Sequence, residues 1–425
     1  MGFYYFFASL LLLQALISLR GGVRYLSYFR RELSKPRPGY APYASVIVPC
    51  RGLDQNLHDN LRALCHQDYP AFEIIFVVDS AQDPALEVVE RVRAERGSAV
   101  SAVQTRVLVS GEAKACGQKV HNLIAGVGAT NERSEVFVFV DTDAQPRRDW
   151  LRTLVAPLAD GRTGAATGYR WFIPSNKSAA PHKFASHLRV VWNASIASAL
   201  GENSRANFCW GGSTAIRRTT FAELDMTGRW RGALSDDFAL TRALQDARLP
   251  IHFVPRCLVA SHEDCGWREL FEFTTRQLKI TRVYAPRLWR IVLISNLLFV
   301  AVFYGGFALA ASRLWRGLPA AALPLAFVAA VYALGSVKAL LRLRAVALAF
   351  EAEHKIRRAP TLAAHLSLWP LASALFLYNA LAAAFSRRIS WRGINYELKS
   401  PAETVIINAS RFEDAQADEE PSRRA

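Results

Sequence analysis

Apolar residues crowd the two ends of this chain and leave its middle ordinary, and that division constrains the fold more than any single motif. Residues 2–19 carry no formal charge and are rich in Phe, Leu and Ala. Three more stretches free of Asp, Glu, Lys and Arg follow at residues 291–312, 317–337 and 359–386. Each is long enough to cross a hydrocarbon core of about 30 Å. A cleaved signal peptide has its basic residues ahead of the apolar run; here Arg20, Arg24, Arg30 and Arg31 come after it. The first run therefore reads as an uncleaved anchor. The expected organisation is an N-terminal anchor over residues 1–20, a catalytic domain over 44–287, a membrane region of about three helices over 291–386, and a polar tail over 387–425.

Charge supports the same division. The net charge is +16, from 52 Lys and Arg against 36 Asp and Glu. The cations do not gather into a patch with interleaved aromatics, which argues against nucleic acid as a partner. Many flank the apolar runs instead, where anionic headgroups attract them. The positive-inside rule then puts the middle domain in the cytoplasm, with the inner cell membrane as the expected location, and leaves the side of the tail open. The six cysteines (Cys50, Cys65, Cys116, Cys209, Cys257 and Cys265) form no CxxC pair, so reduced thiols are expected rather than a structural zinc site.

Within the middle, residues 44–49, 73–78 and 136–140 are short runs dominated by apolar and β-branched residues, each ending at a polar cluster. Strands buried on both faces of a parallel sheet have this composition. Helix-like stretches at 57–65 and 85–96 separate them, and the alternation predicts an α/β sheet.

In such sheets ligands collect at the carboxyl ends of the strands. The second run ends in Asp79, the third in Asp141-Thr142-Asp143. An Asp-x-Asp pair at that place suits a hard divalent cation, Mg2+ or Mn2+, shared with substrate phosphates, although Asp also favours plain turns. Ser235-Asp236-Asp237 opens a helix-like stretch. Its acids suit an N-cap and the helix dipole, and equally a general base. Cys209-Trp210-Gly211-Gly212-Ser213 allows close backbone approach to a ligand, or makes a simple turn. Arg276, Lys279 and Arg282 recur three apart, on one face of a helix. That face suits a membrane surface or a diphosphate clamp. His262, Glu263 and Asp264 just before it are a weak candidate for metal ligation.

Taken in order, these pieces resemble the family 2-type glycosyltransferases, most closely the ceramide glucosyltransferase-like branch. The resemblance covers roughly residues 45–287, opening with SVIVPCRGLDQNLHDNLRALCHQDYPAFEIIFVVDSAQDPA and continuing with GQKVHNLIAG at 117–126. The final ISWRGINYEL, at 389–398, resembles the end of such enzymes. The resemblance implies a GT-A α/β domain, the nucleotide-diphospho-sugar transferase fold, with flanking transmembrane helices. It implies that Asp79, Asp141, Lys119 and Arg276 bind the donor, a UDP-sugar in preference. Asp141 and Asp143 hold the metal, and Asp237 is the catalytic base of an inverting transfer. Gly211, Gly212, Ser213 and Lys279 face the acceptor, a membrane lipid and preferably a ceramide-like one. One departure stands out. The family carries Gln or Arg, two spacers, then Arg-Trp; here Arg276 keeps the first position, but Lys279-Ile280 replaces Arg-Trp, losing a bidentate fork and a stacking ring. The rival readings are a processive polysaccharide synthase and a catalytically inactive membrane scaffold. A dinucleotide-binding oxidoreductase lacks support, because no GxGxxG follows the first strand.

Overall fold

The computed structural model describes residues 2–36, 39–96, 103–174, 180–318, 322–350 and 359–409. The basic residues Arg357 and Arg358 and the polar end at 414–425 lie outside the described residues. The chain divides into two compact units, each assembled from separate segments.

One unit comprises Lys35–Phe172, Asn203–Glu263 and Arg387–Ala425. Its centre is a seven-stranded sheet of β1 (Ala44–Pro49), β2 (Phe72–Val78), β3 (Val103–Val109), β4 (Val136–Phe139), β5 (Ala165–Phe172), β6 (Thr214–Arg217) and β7 (Ile251–Ser261). The order across the sheet is β3-β2-β1-β4-β6-β5-β7. β1, β2, β3 and β4 run parallel to one another and β5 parallel to β7, whereas β6 is antiparallel to both β4 and β5. Every residue of β2 and β4 is buried, as their nearly continuous apolar composition requires; the one acid, Glu73 of β2, accepts from the Ser45 hydroxyl and the Asn131 amide and pairs with Arg106. The edge strand β3 alternates and leaves Gln104, Arg106 and Val109 to the exterior. The expected fold class, an α/β sheet domain in a chain with long apolar helices, is the one observed.

The helices predicted at 57–65 and 85–96 are Leu57–Cys65 and Pro84–Arg96. The core under the sheet joins Ile47, Ile75 and Val77 to Val120 and Leu123 of the helix Gln118–Gly128, and to Leu240 and Leu244 of the helix Asp236–Asp246. These two helices present their first turns to the site described below. A Cβ on Gly126 would lie 2.5 Å from the Ile47 side chain, so only glycine lets the Gln118–Gly128 helix approach β1 this closely.

Residues 387–409 are not a featureless polar tail. They form a three-stranded antiparallel sheet of β8 (Arg388–Trp391), β9 (Ile394–Ser400) and β10 (Glu403–Ala409). The reason is a period of two hidden in a polar composition. Ile394, Tyr396 and Leu398 are buried while Asn395, Glu397 and Lys399 between them are not.

The second unit comprises Met1–Ser34, Ile173–Glu202 and Asp264–Ser386. The stretch 44–287, expected as one continuous domain, therefore gives two of its segments to this unit. Packing explains why. Trp192 of the helix Ala180–Ala197 stacks on Phe376 of the helix Trp369–Phe385 at 4.6 Å, and Phe273 of the helix Trp267–Tyr284 meets the same indole. Among the described residues three helices are long and apolar enough to cross a membrane: Gly2–Ser34, Pro286–Trp315 and Ala322–Ala349. The first continues beyond the expected end at residue 20. The last apolar stretch, 359–386, is two helices, Ala359–Ser367 and Trp369–Phe385, bent by 57° at their junction. Pro370 sits in the first turn after the break, where its missing N–H and fixed φ are tolerated, and it cannot continue the preceding helix.

Candidate functional site

The acidic residues singled out in the sequence converge at the carboxyl ends of β2 and β4. Asp79 immediately follows β2 and is buried in an ion pair with Arg51. Its Oδ1 is buried with no hydrogen-bond partner among the described residues. Asp141 and Asp143 follow β4, and between them the Thr142 hydroxyl donates to Asp54. Asn60 holds the turn by donating to the Thr142 carbonyl at 2.9 Å.

Lys119, in the first turn of the Gln118–Gly128 helix, is the hub of the cluster. Its Nζ lies 2.7 Å from Asp141 and 3.2 Å from Asp236. Arg170 of β5 faces the other side of the pair, 3.0 Å from Asp143 and 3.7 Å from Asp141. Its guanidinium also covers the rings of Trp210 and Phe172. Burial works against the charge of Asp141, but Lys119 and then Arg170 more than offset it, leaving the carboxyl below its ordinary range. Asp143 goes the other way. Burial raises it, and Asp141 adds to the rise against the pull of Arg170. Lys119 and Arg170 are both pushed up, because their acidic neighbours outweigh the cost of burial.

Asp236 and Asp237 start the Asp236–Asp246 helix behind an N-cap Ser235, so the capping reading of this motif holds. The two acids nevertheless differ. Asp236 is buried, and burial pushes its carboxyl up to about 6, with Lys119 opposing the shift and Asp237 reinforcing it. Asp237 is partly exposed. Among the described residues its two hydrogen bonds, from the Ser235 hydroxyl and the Phe238 amide, both fall on Oδ1, which leaves Oδ2 for another donor.

Gly211 presses on the same cluster. A Cβ there would meet Asp236 Oδ2 at 2.3 Å and Lys119 Nζ at 2.7 Å. Gly212 lies against the Trp210 ring, at 2.2 Å by the same measure. Ser213 is fully buried, and its hydroxyl accepts from Trp150 Nε1 at 2.9 Å. Ser213 therefore stands behind the glycine backbone and supports it from the core.

Arg276 and Lys279 belong to the other compact unit, on the Trp267–Tyr284 helix with Arg282. Arg276 covers the Phe273 ring, while Arg282 covers Trp289 and donates to the Ala383 carbonyl. His262, Glu263 and Asp264 form no metal cluster. Among the described residues no group of three His, Cys, Asp or Glu side chains is placed to hold an ion. Asp141 and Asp143 still fit a divalent cation whose other ligands come from a substrate diphosphate and water, since hard cations take such mixed oxygen sets.

Four site residues escaped the sequence reading: Asp54, Arg170, Asp236 as the partner of Lys119, and Arg392. Arg170 carried one signal, a lone cation inside the otherwise apolar run Tyr169-Arg170-Trp171-Phe172. Arg392 carried another, an Arg-Gly pair between two alternating segments.

Comparison with known proteins agrees with the resemblance seen in the sequence. Ceramide glucosyltransferase 1 of Caenorhabditis elegans is 32% identical over 83 residues, which is 20% of this chain and 17% of that protein. Ceramide glucosyltransferase of Komagataella phaffii is 31% identical over 75 residues, 18% of this chain and 15% of that protein. The matches thus span less than a fifth of either relative. Among solved structures, a mannosyltransferase from Pyrobaculum calidifontis in complex with GDP-Man and Mn2+ is similar at a TM-score of 0.44 and 20% identity, over 87% of this chain and 99% of that chain. The profile of glycosyl transferase family 21 matches residues 10–403, and the chain belongs to that family.

Proposed function

We propose that this protein is a membrane-bound inverting glycosyltransferase that moves one sugar from a nucleotide-sugar donor to a lipid hydroxyl. The observation that carries the reading is the array of acids at the strand ends, with Asp141, Asp236 and Asp237 around Lys119, Asp143 on Arg170 and Asp79 on Arg51, in a chain of this family. A scaffold without chemistry has no use for so many clustered acids, of which Asp79 and Asp236 are buried at a cost in desolvation.

Each residue has a part. Asp79 Oδ1 takes a hydrogen bond from the donor's ribose or base, which would satisfy its missing partner. Lys119 holds the donor's diphosphate, and Arg276 is assigned to the donor by its motif position. Asp141 and Asp143 would hold Mg2+ or Mn2+, which supplies Lewis-acid stabilisation of charge on the diphosphate. Asp237 accepts the proton of the acceptor hydroxyl through Oδ2. The freed oxygen bonds to the anomeric carbon as the bond from that carbon to the diphosphate oxygen breaks, and the nucleoside diphosphate leaves with the electron pair. Attack on the face opposite the leaving group inverts the centre. Gly211 and Gly212 offer bare backbone to the acceptor, Ser213 supports them, and Lys279 contributes a cation to the headgroup.

The two ceramide glucosyltransferase relatives favour a ceramide-like acceptor, and the resemblance seen in the sequence favours a UDP-sugar donor. The apolar helices would anchor the enzyme in the inner cell membrane with its sheet domain in the cytoplasm, which raises the effective concentration of a lipid acceptor. The test is to incubate purified protein with UDP- and GDP-sugars, Mn2+ and a total lipid extract, and to seek new glycolipids by mass spectrometry. A lipid that gains one hexose is the expected product. A long water-soluble polymer would instead establish a polysaccharide synthase, and no product with any donor would support the inactive scaffold.

A further inference from the structure

The carboxyl-terminal sheet is built into the acidic cluster. Tyr396 of β9 accepts a hydrogen bond from the Gln118 amide at 3.2 Å, at the start of the helix that carries Lys119. Thr404 of β10 donates to the Gly232 carbonyl at 2.9 Å. A Cβ on Gly232 would fall 1.9 Å from the Ala402 carbonyl oxygen, so this approach needs glycine. The sheet is thus pinned to the segments that carry Lys119 and the Asp236-Asp237 pair.

From this platform one turn reaches the site. Trp391 pairs with Ile394, so Arg392-Gly393 is a two-residue hairpin loop. Both residues are left-handed, with φ of 49° and 75°. Asn or Gly is the favoured residue at the first of these positions, and an arginine there is held against its own preference. Its guanidinium donates to Asp54 Oδ1 at 2.7 Å and to the Arg51 carbonyl, and Arg51 Nε donates back to the Arg392 carbonyl at 3.1 Å. Asp54 receives the hydroxyl of Thr142, and Arg51 pairs with Asp79, so Arg392 touches the neighbours of both strand-end motifs. The Arg392 side chain remains 34% exposed. It lies close enough to Asp141 and Asp143 for its charge to favour their ionised forms.

We propose that Arg392 is a donor-binding residue, an arginine presented by the carboxyl-terminal hairpin to the diphosphate of the nucleotide-sugar. The inference rests on the donor-site reading above and adds to it a residue far along the chain from the sheet domain's other acids and cations. The fork of a guanidinium matches two diphosphate oxygens at once, which lysine cannot do. A carboxylate partner at the rim holds the fork in place until the diphosphate takes it over. A left-handed arginine kept on a rigid two-residue turn arrives already oriented, which limits the entropy lost on binding.

The experiment uses the full-length protein in detergent with Mn2+. Calorimetry measures UDP and GDP binding, with uridine and guanosine as competitors, for the wild type, Arg392→Asn and Arg392→Lys. Asparagine tolerates the left-handed turn, so Arg392→Asn should melt at or above the wild-type temperature. It should nevertheless bind the nucleoside diphosphate about ten- to a hundred-fold more weakly, with competition by the nucleoside unchanged. Arg392→Lys should fall between. Wild-type diphosphate affinity in a stable Arg392→Asn would overturn the inference and leave the donor-site reading standing. Equal loss of nucleoside and diphosphate binding together with a lower melting temperature would also overturn it, by showing a purely structural role. If the wild type binds neither diphosphate, the donor-site reading itself falls, and the inference with it.

Discussion

The two compact units bury polar groups in opposite ways. In the helical unit several polar groups meet a neutral partner on a neighbouring helix. Asn379 accepts from the hydroxyls of Thr274 at 3.2 Å and Thr275 at 3.0 Å. Arg342 Nη2 lies 3.2 Å from His365 Nδ1, and Lys338 donates to the Ser18 hydroxyl at 2.6 Å. In the sheet unit opposite charges alternate instead: Asp236, Lys119, Asp141, Arg170, Asp143. A neutral contact between helices specifies which helices meet and has no charged ligand to exchange for. An array of paired charges can trade one partner for a charged substrate at little electrostatic cost. On the function proposed above, the sheet unit's charges serve that exchange, while the helical contacts select packing partners.

The sharpest way to break this comparison is at Asp237. Asp237→Asn should lower turnover by about 10²- to 10⁴-fold with little change in melting temperature or in UDP affinity, because its Oδ1 contacts are those of a cap that an amide oxygen can also accept. Wild-type turnover by this variant in a lipid-glycosylation assay would move the base assignment to Asp236.

The next largest effect should be at the hub. Lys119→Met leaves Asp236 as a buried carboxylate without its cation, which should cost about 3–5 kcal/mol in unfolding free energy. Donor binding should be lost as well. An unchanged denaturant midpoint would mean that the charge array contributes nothing to the fold.

Asp236 itself allows a pH test. Burial raises its carboxyl from the ordinary 3.8 to about 6 in the folded chain. The folded protein therefore holds that proton more tightly than the unfolded one. The resulting stability is fully present below pH 3.8 and is lost as pH rises through about 6. Asp236→Asn removes the loss. Relative to wild type it should gain stability between these two values, by on the order of 3 kcal/mol at most, and show no gain in strong acid. A difference between the two proteins that does not change with pH would refute the assignment.

The smallest effect belongs to the helical unit. Asn379→Ala should destabilise by about 1 kcal/mol, with activity unchanged once the protein is folded. A large fall in kcat in a fully folded Asn379→Ala would erase the distinction between the two units and place the acceptor site among the helices.

Local pattern was enough to read several features from the residues in order. The uncharged runs, the buried strands β2 and β4, Asp79 and the Asp141-Thr142-Asp143 motif at their ends, and the N-cap at Ser235 all depend on a handful of adjacent residues. The bend between Ala359–Ser367 and Trp369–Phe385 went unread, because an uninterrupted apolar composition concealed it although Pro370 stands in the first turn after it. The tertiary structure alone decided which charges face each other. Lys119 and Asp236 are 117 positions apart, yet share an ion pair, and Arg392 reaches Asp54 across 338 positions. It also decided that residues 387–409 build a sheet against the site and that Ser213 faces the core. The physical reason is that apolar periodicity reports how a segment presents its own faces, because burial is paid for locally by the residues of that segment. A pair of opposite charges carries no such periodic mark. Its partners are chosen only when the closed chain brings two distant turns to the same end of one sheet.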